Sequence, residues 1–170
     1  MLDPHEETTA APFSPAGGDL TLADYRALAE FRSELRRFLR FSEEVTLRAG
    51  LEPQQHQLLL AIRAALRDDA ATVGALADRL QLKPHSVVEL VDRAAQRGLV
   101  RRERSEHDRR RVIVRLTPAG EQTLRRLALY HRDELCQAGP RLIAALRRIV
   151  EADRAVPVGE SLVATQQEPS

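Results

Sequence analysis

A chain of 170 residues, 43% hydrophobic and with a net charge of +1, has material for one core of ordinary size and no overall charge that marks a nucleic-acid or membrane binder. No apolar run approaches the roughly 20 residues of a membrane span, and the N-terminal stretch lacks the basic start and apolar centre of a secretory signal, so a cytoplasmic protein without a membrane partner is expected. The lone cysteine, Cys136, excludes an internal disulfide and a cysteine-cluster metal site, and is expected as a small buried hydrophobe.

Residues 1–18 are rich in Pro, Gly, Ala and Thr without periodicity, and 155–170 are similar. Both read as flexible tails around a single domain over 19–154. Within it, Leu28, Phe31, Leu35, Phe38 and Val45 recur at helical spacing, which predicts a long helix over about 20–48 whose apolar stripe needs something to pack against. Pro53 opens a second helix carrying Leu58, Leu59, Ile62, Ala65 and Leu66, closed by Asp68 and Asp69. Thr72 is placed to cap a short helix with Val73, Leu76, Ala77 and Leu80 inward. After the turn Gln81–Lys83, Pro84 starts another, with Val87, Leu90, Val91 and Ala94 inward and Gly98 as its stop. Two short helices joined in this way form an ordinary helical hairpin or a helix-turn-helix, whose second helix enters the DNA major groove.

Leu99–Arg104 and Val112–Leu116 have strand composition, and the polar link 105–111 makes them a two-stranded hairpin, a wing. In its second strand Val112, Val114 and Leu116 alternate as the inward face. Thr117 and Pro118 then cap and start a helix through Leu124, Leu127, Ala128 and Leu135. Gly139 and Pro140 are expected to interrupt it before a last helix marked by Leu142, Ile143, Leu146, Ile149 and Val150.

The charge is local. From Lys83 to Arg115 there are ten Lys and Arg against five Asp and Glu, so that segment carries +5 and the remainder −4. A phosphate-binding surface gathers charge in this way, and so does a solvated basic face. His5, His56, His85, His107 and His131 include no i, i+4 pair, and the chain has no nucleophile elbow or glycine-rich phosphate loop. Neither a metal, a cofactor nor an enzyme is therefore expected.

The run from Leu76 to Gly120 resembles the MarR-type winged helix-turn-helix transcriptional regulators. It holds Leu76-Ala77, Val91-Asp92-Arg93, Gly98-Leu99-Val100, Asp108-Arg109-Arg110 and Leu116-Thr117-Pro118-Ala119-Gly120 in the family's order. The resemblance implies a mainly α fold with a small β wing: a winged helix-turn-helix lobe over about 53–116 and a dimerisation region formed by helices over about 20–48 and 117–152. It further implies a homodimer that sets two lobes on successive major grooves of a near-palindromic double-stranded operator. A repressor released by a small aromatic or amphipathic effector is the expected mode. Tyr25, Phe31, Phe38, Phe41, His56 and Leu59 are candidate lining for that effector, and equally what a core would contain.

In the recognition helix, His85 and Ser86 are placed to reach base edges, Val88 to lie against a thymine methyl, and Lys83 and Arg93 to meet phosphates. Glu89 either accepts from cytosine N4 or is solvated. In the wing, the resemblance puts Arg110 into the minor groove with Asp108 holding the hairpin, flanked by Arg109 and Arg111. The bland reading of this arginine run is a solvated tip that blunts a strand edge. Strand alternation sends Arg102 and Arg104 to one face. Lys83 stands where the family usually has a capping Ser, and Glu89 where a basic or neutral polar residue is frequent. These departures motivate the alternative, a winged-helix protein-interaction module or adaptor that does not read DNA sequence.

Overall fold

The computed structural model describes residues 20–65, 71–105, 108 and 110–154. Both expected tails, the second helix's Leu66, Asp68 and Asp69, and Arg109 in the wing lie outside the described residues. Seven elements follow in order: α1 (Leu22–Arg48), α2 (Pro53–Arg63), α3 (Val73–Leu80), α4 (Pro84–Gln96), β1 (Val100–Arg104), β2 (Val112–Leu116) and α5 (Pro118–Arg154).

Local chemistry accounts for the boundaries. Thr21 and Asp24 cap α1 reciprocally: the Thr21 hydroxyl accepts from the Asp24 amide at 3.3 Å, and the Asp24 carboxylate accepts from the Thr21 amide at 2.7 Å. Thr72 caps α3 through the Ala75 amide, and Gln81 in the left-handed region (φ 54°) ends it. Gly98, at φ 68°, ends α4 while the Leu99 and Gly98 amides return to the Ala94 and Ala95 carbonyls. That left-handed step turns the chain directly into β1, where a residue with a Cβ would be strained.

The winged lobe closes over Leu58, Leu59, Leu76, Val87, Leu90, Val91, Ala94, Ile113 and Val114, each nearly or wholly buried. β1 and β2 pair antiparallel from Val100↔Leu116 to Arg104↔Val112, and Thr72 adds an isolated bridge to Ile113. β2 is thus flanked on both sides at its base and packs against α2, α3 and α5. This corrects the alternation expected for β2. Ile113 and Val114 are both buried, one on each face, whereas Val112 at the outer end is 44% exposed. A strand covered on both faces reads as a continuous apolar run, and its period carries no information.

α5 is also corrected. It runs without interruption from Pro118 to Arg154 with Pro140 inside it. Proline removes one helical hydrogen bond, but the buried positions Leu124, Leu127, His131, Ala138 and Ala145 continue the helical spacing across it. Packing against α1 therefore outweighs the lost bond. The two long helices are antiparallel: Glu30 pairs with Arg148, Glu34 with Arg141, and Ser42 with His131. Among the described residues this arm leaves much of its stripe uncovered. Leu28, Leu35 and Leu39 on α1, and Leu135, Ile143, Leu146 and Val150 on α5, are all exposed. Cys136 is exposed as well, because it falls outside the line of α5 positions that meet α1.

Candidate nucleic-acid interface

α4 buries Val87, Leu90, Val91 and Ala94 and leaves His85, Val88 and Glu89 exposed on its outer side. Ser86 is half-buried, and Lys83 is the exposed N-cap residue, making no side-chain cap bond. The positive end of α4 is therefore presented next to a lysine. Arg93 is turned sideways: its Nε lies 3.6 Å from a carboxylate oxygen of Glu52 at the start of α2, buried and without a hydrogen-bond partner.

The wing tip is organised by Asp108. Its carboxylate accepts from the Arg110 amide at 3.0 Å, its carbonyl from the Arg111 amide at 2.9 Å, and its own amide donates to the Ser105 hydroxyl at 3.1 Å. Arg110 and Arg111 are exposed, with no carboxylate partner among the described residues. The arginines nearer the base are paired instead. Arg101 and Arg115 both meet Glu103, at 2.5 and 2.7 Å, and their guanidinium groups hold its carboxyl below the usual carboxylate range. Arg102 is joined to Asp92 on α4. Arg104 on the outer wing is exposed and, like Arg110 and Arg111, has no carboxylate partner among the described residues. Among the described residues, pairing divides the basic segment into a base whose arginines meet carboxylates and a tip whose arginines do not, a division that charge counting along the sequence does not reveal.

The Leu-Thr-x-x-Gly run locks α5 to the root of the wing. The Thr117 hydroxyl donates to the Gly98 carbonyl at 2.6 Å and accepts from the Gly120 amide at 3.1 Å, while the Thr117 amide donates to the Leu99 carbonyl at 3.0 Å. A Cβ on Gly120 would lie 2.0 Å from that same Leu99 oxygen, so the close approach of α5 to the chain entering β1 requires glycine.

Where α1, α2 and α5 meet, the rings of His56 and His131 stack at 4.6 Å between centroids, both buried. His131 contacts the Leu127 carbonyl through Nδ1 at 2.7 Å and the Ser42 hydroxyl through Nε2 at 2.8 Å, and Phe38 and Phe41 meet its ring edge-on. Burial, and secondarily the neighbouring His131, pushes the His56 imidazole down from 6.5 to about 4. Beside this joint, a cleft of about 550 Å³ opens between α1 and α5, lined by Phe41, Val45, Arg48, Arg126, Leu127 and Tyr130. Of the six expected lining residues only Phe41 borders it. Leu59 is core, His56 and Phe38 belong to the joint, and Tyr25 is exposed near the far end of α1.

Residues 49–111, which span α2, the helix-turn-helix and the wing, match the profile of the MarR family. Over this lobe the chain is similar to the MarR family. A protein of Thauera aromatica named as a putative transcriptional regulatory protein for the hcr operon is 29% identical over 157 residues, covering 84% of this chain and 93% of that protein. AbsC, a MarR family transcriptional regulator from Streptomyces coelicolor, superposes with a TM-score of 0.61 at 22% identity, covering 82% of this chain and all of that one. MarR from E. coli superposes at 0.58 and 20% identity, covering 79% and 98%. A variant of S. aureus MepR bound to an oligodeoxyribonucleotide superposes at 0.56 and 18% identity, covering 79% and 99%. These likenesses carry the winged-helix fold across both the lobe and the helical arm. No described helix is long and apolar enough to cross a membrane.

Proposed function

We propose that this chain is a MarR-type regulator, a homodimeric, sequence-specific binder of double-stranded DNA that acts as a repressor and is released by a small amphipathic effector. The observation that carries the DNA-binding reading is the division of charge. Among the described residues, the exposed outer side of α4 and the wing-tip residues Arg110 and Arg111 have no carboxylate partner, while Arg101, Arg102 and Arg115 nearer the core are each paired with a carboxylate. His85, Ser86, Val88 and Glu89 read base edges, Lys83 and the outer nitrogens of Arg93 meet phosphates, and Arg110 probes a minor groove with Arg109 and Arg111 beside it and Asp108 shaping the turn. The MepR relative, whose structure contains an oligodeoxyribonucleotide, supports this arrangement.

The bare leucine and isoleucine face of α1 and α5 supports the dimer, because contiguous apolar surface of this kind marks an interface. The cleft beside Phe41 and Tyr130 supports the effector, with Arg48 and Arg126 placed to meet an anionic group. An effector that prefers a lobe spacing unable to span two grooves lowers DNA affinity by the same factor by which DNA lowers its own.

Selection of bound fragments from the source organism's genomic DNA at physiological salt tests the reading. It is expected to return a near-palindromic site. Recovery of fragments without a shared sequence would favour the adaptor alternative.

A further inference from the structure

We infer that Arg102 is a positioning residue: a strut that fixes the angle between the wing and the recognition helix, with its charge directed into the protein and away from DNA. The inference rests on the DNA-binding reading above and assigns a role within it.

The strand register places Val100, Arg102 and Arg104 on one face with Leu116, Val114 and Val112. Val100 and Val114 on that face are buried in the lobe core. Arg102 is the next position outward, where the sheet leaves the core and runs beside α4. From there its guanidinium donates to the Asp92 carboxylate and, at 3.4 Å, to the Val88 carbonyl. Val88 and Asp92 are four residues apart, one helical turn, so a single planar fork grips two levels of the same helix.

No other side chain among the described residues makes a polar link between the outer wing and α4. Arg101 and Arg115 pair with Glu103 on the opposite face, and Asp108, Arg110 and Arg111 bond within the hairpin. Beyond Val114 the wing is a two-stranded ribbon, which has little independent stability. Its direction relative to α4 is therefore set by Arg102. A guanidinium already facing a carboxylate adds almost no net charge toward a phosphate. Val88 lies directly over the gripped carbonyl and is exposed on the reading side, so major-groove and wing contacts share one rigid support.

The sign of the Asp92 substitution separates the two roles. If Asp92 were only a surface acid near DNA, removing it would strengthen binding by relieving repulsion of phosphates. As the partner of a strut, its removal weakens binding. Full-length wild type, Asp92→Ala, Arg102→Ala and the exchange Asp92→Arg with Arg102→Asp are compared on the selected operator across a salt series. Hydroxyl-radical protection of the DNA is read at the same time, and wing amide exchange in DNA-free protein is read separately.

Both single variants are expected to bind roughly fivefold more weakly, with the slope of affinity against salt unchanged, minor-groove protection reduced, and faster exchange at Arg104 and Val112. The exchange variant is expected to recover most of the protection. Tighter binding by Asp92→Ala, or a slope lowered by about one unit in Arg102→Ala as for a lost phosphate contact, overturns the assignment. If wild type binds no DNA, the functional reading fails independently, and the amide-exchange measurement still decides the strut: unchanged wing exchange in Arg102→Ala overturns it. Should the exchange variant not fold, the two single variants suffice, because weaker binding by Asp92→Ala is the opposite of what relief of phosphate repulsion predicts.

Discussion

Gly120 shows how a single residue sets the relation between the lobe and the arm. Its absent side chain lets α5 begin against the Leu99 carbonyl, and a methyl group 2.0 Å from that oxygen has no rotamer to relieve it, since the obstacle is backbone. Gly120→Ala is expected to destabilise the fold by about 3 kcal/mol or more, read as a lower urea midpoint. Thr117→Val, which keeps the shape but leaves the Gly98 carbonyl and the Gly120 amide without their partner, is expected to cost about 1–2 kcal/mol. The motif containing both residues was legible in the sequence, but its reason was not. Periodicity describes one element at a time, whereas the steric demand on Gly120 and the pairing of Arg93, Arg101, Arg102 and Arg115 come from other elements. Asp108 was singled out by the family resemblance, and its bonds to Ser105, Arg110 and Arg111, all near neighbours in the chain, give it a local hairpin-holding geometry.

At the scale of elements, the helix-turn-helix and the wing stood out in the sequence because every boundary carries local chemistry: Thr72, Gln81, Pro84, Gly98 and the Thr117-Pro118 pair. The misread elements are those governed by tertiary cover. Pro140 gives a strong local stop signal that a long interface with α1 overrides, and β2 loses its alternation because Thr72 and the surrounding helices bury both of its faces. The joint of α1, α2 and α5 likewise left no sequence signal, since His56 and His131 are far apart in the chain. It has a measurable consequence. His56 is neutral in the fold down to about 4, whereas an unfolded chain takes up the proton near 6.5. The joint's contribution to stability is therefore complete above pH 6.5 and is lost as pH falls from 6.5 to about 4, by up to about 1.4 kcal/mol per pH unit. Urea midpoints between pH 7.5 and 4.5 are expected to fall more steeply for wild type than for His56→Phe, which keeps an aromatic ring in the stack. Equal slopes would mean that His56 does not titrate as its surroundings imply.

For the whole molecule, the decisive feature is an arm whose apolar stripe is only partly covered by the described residues. The sequence showed that stripe through its spacing and could not show what lies against it. The structure shows α5 covering only part of α1. In the proposed homodimer a second copy would complete the arm, so Ile143→Glu is expected to shift the protein from dimer toward monomer in sedimentation velocity. It is also expected to weaken operator binding about a hundredfold or more, because each lobe then binds without the other.

The two lobes and their wings also make a geometric claim that one measurement tests directly, a hydroxyl-radical footprint of the full-length protein on its selected operator. Recognition helices related by a twofold are expected to protect two half-sites about 10 bp apart, each with a flanking minor-groove protection that disappears in Arg110→Ala. A single protected patch, or a footprint unchanged by Arg110→Ala, would contradict the account.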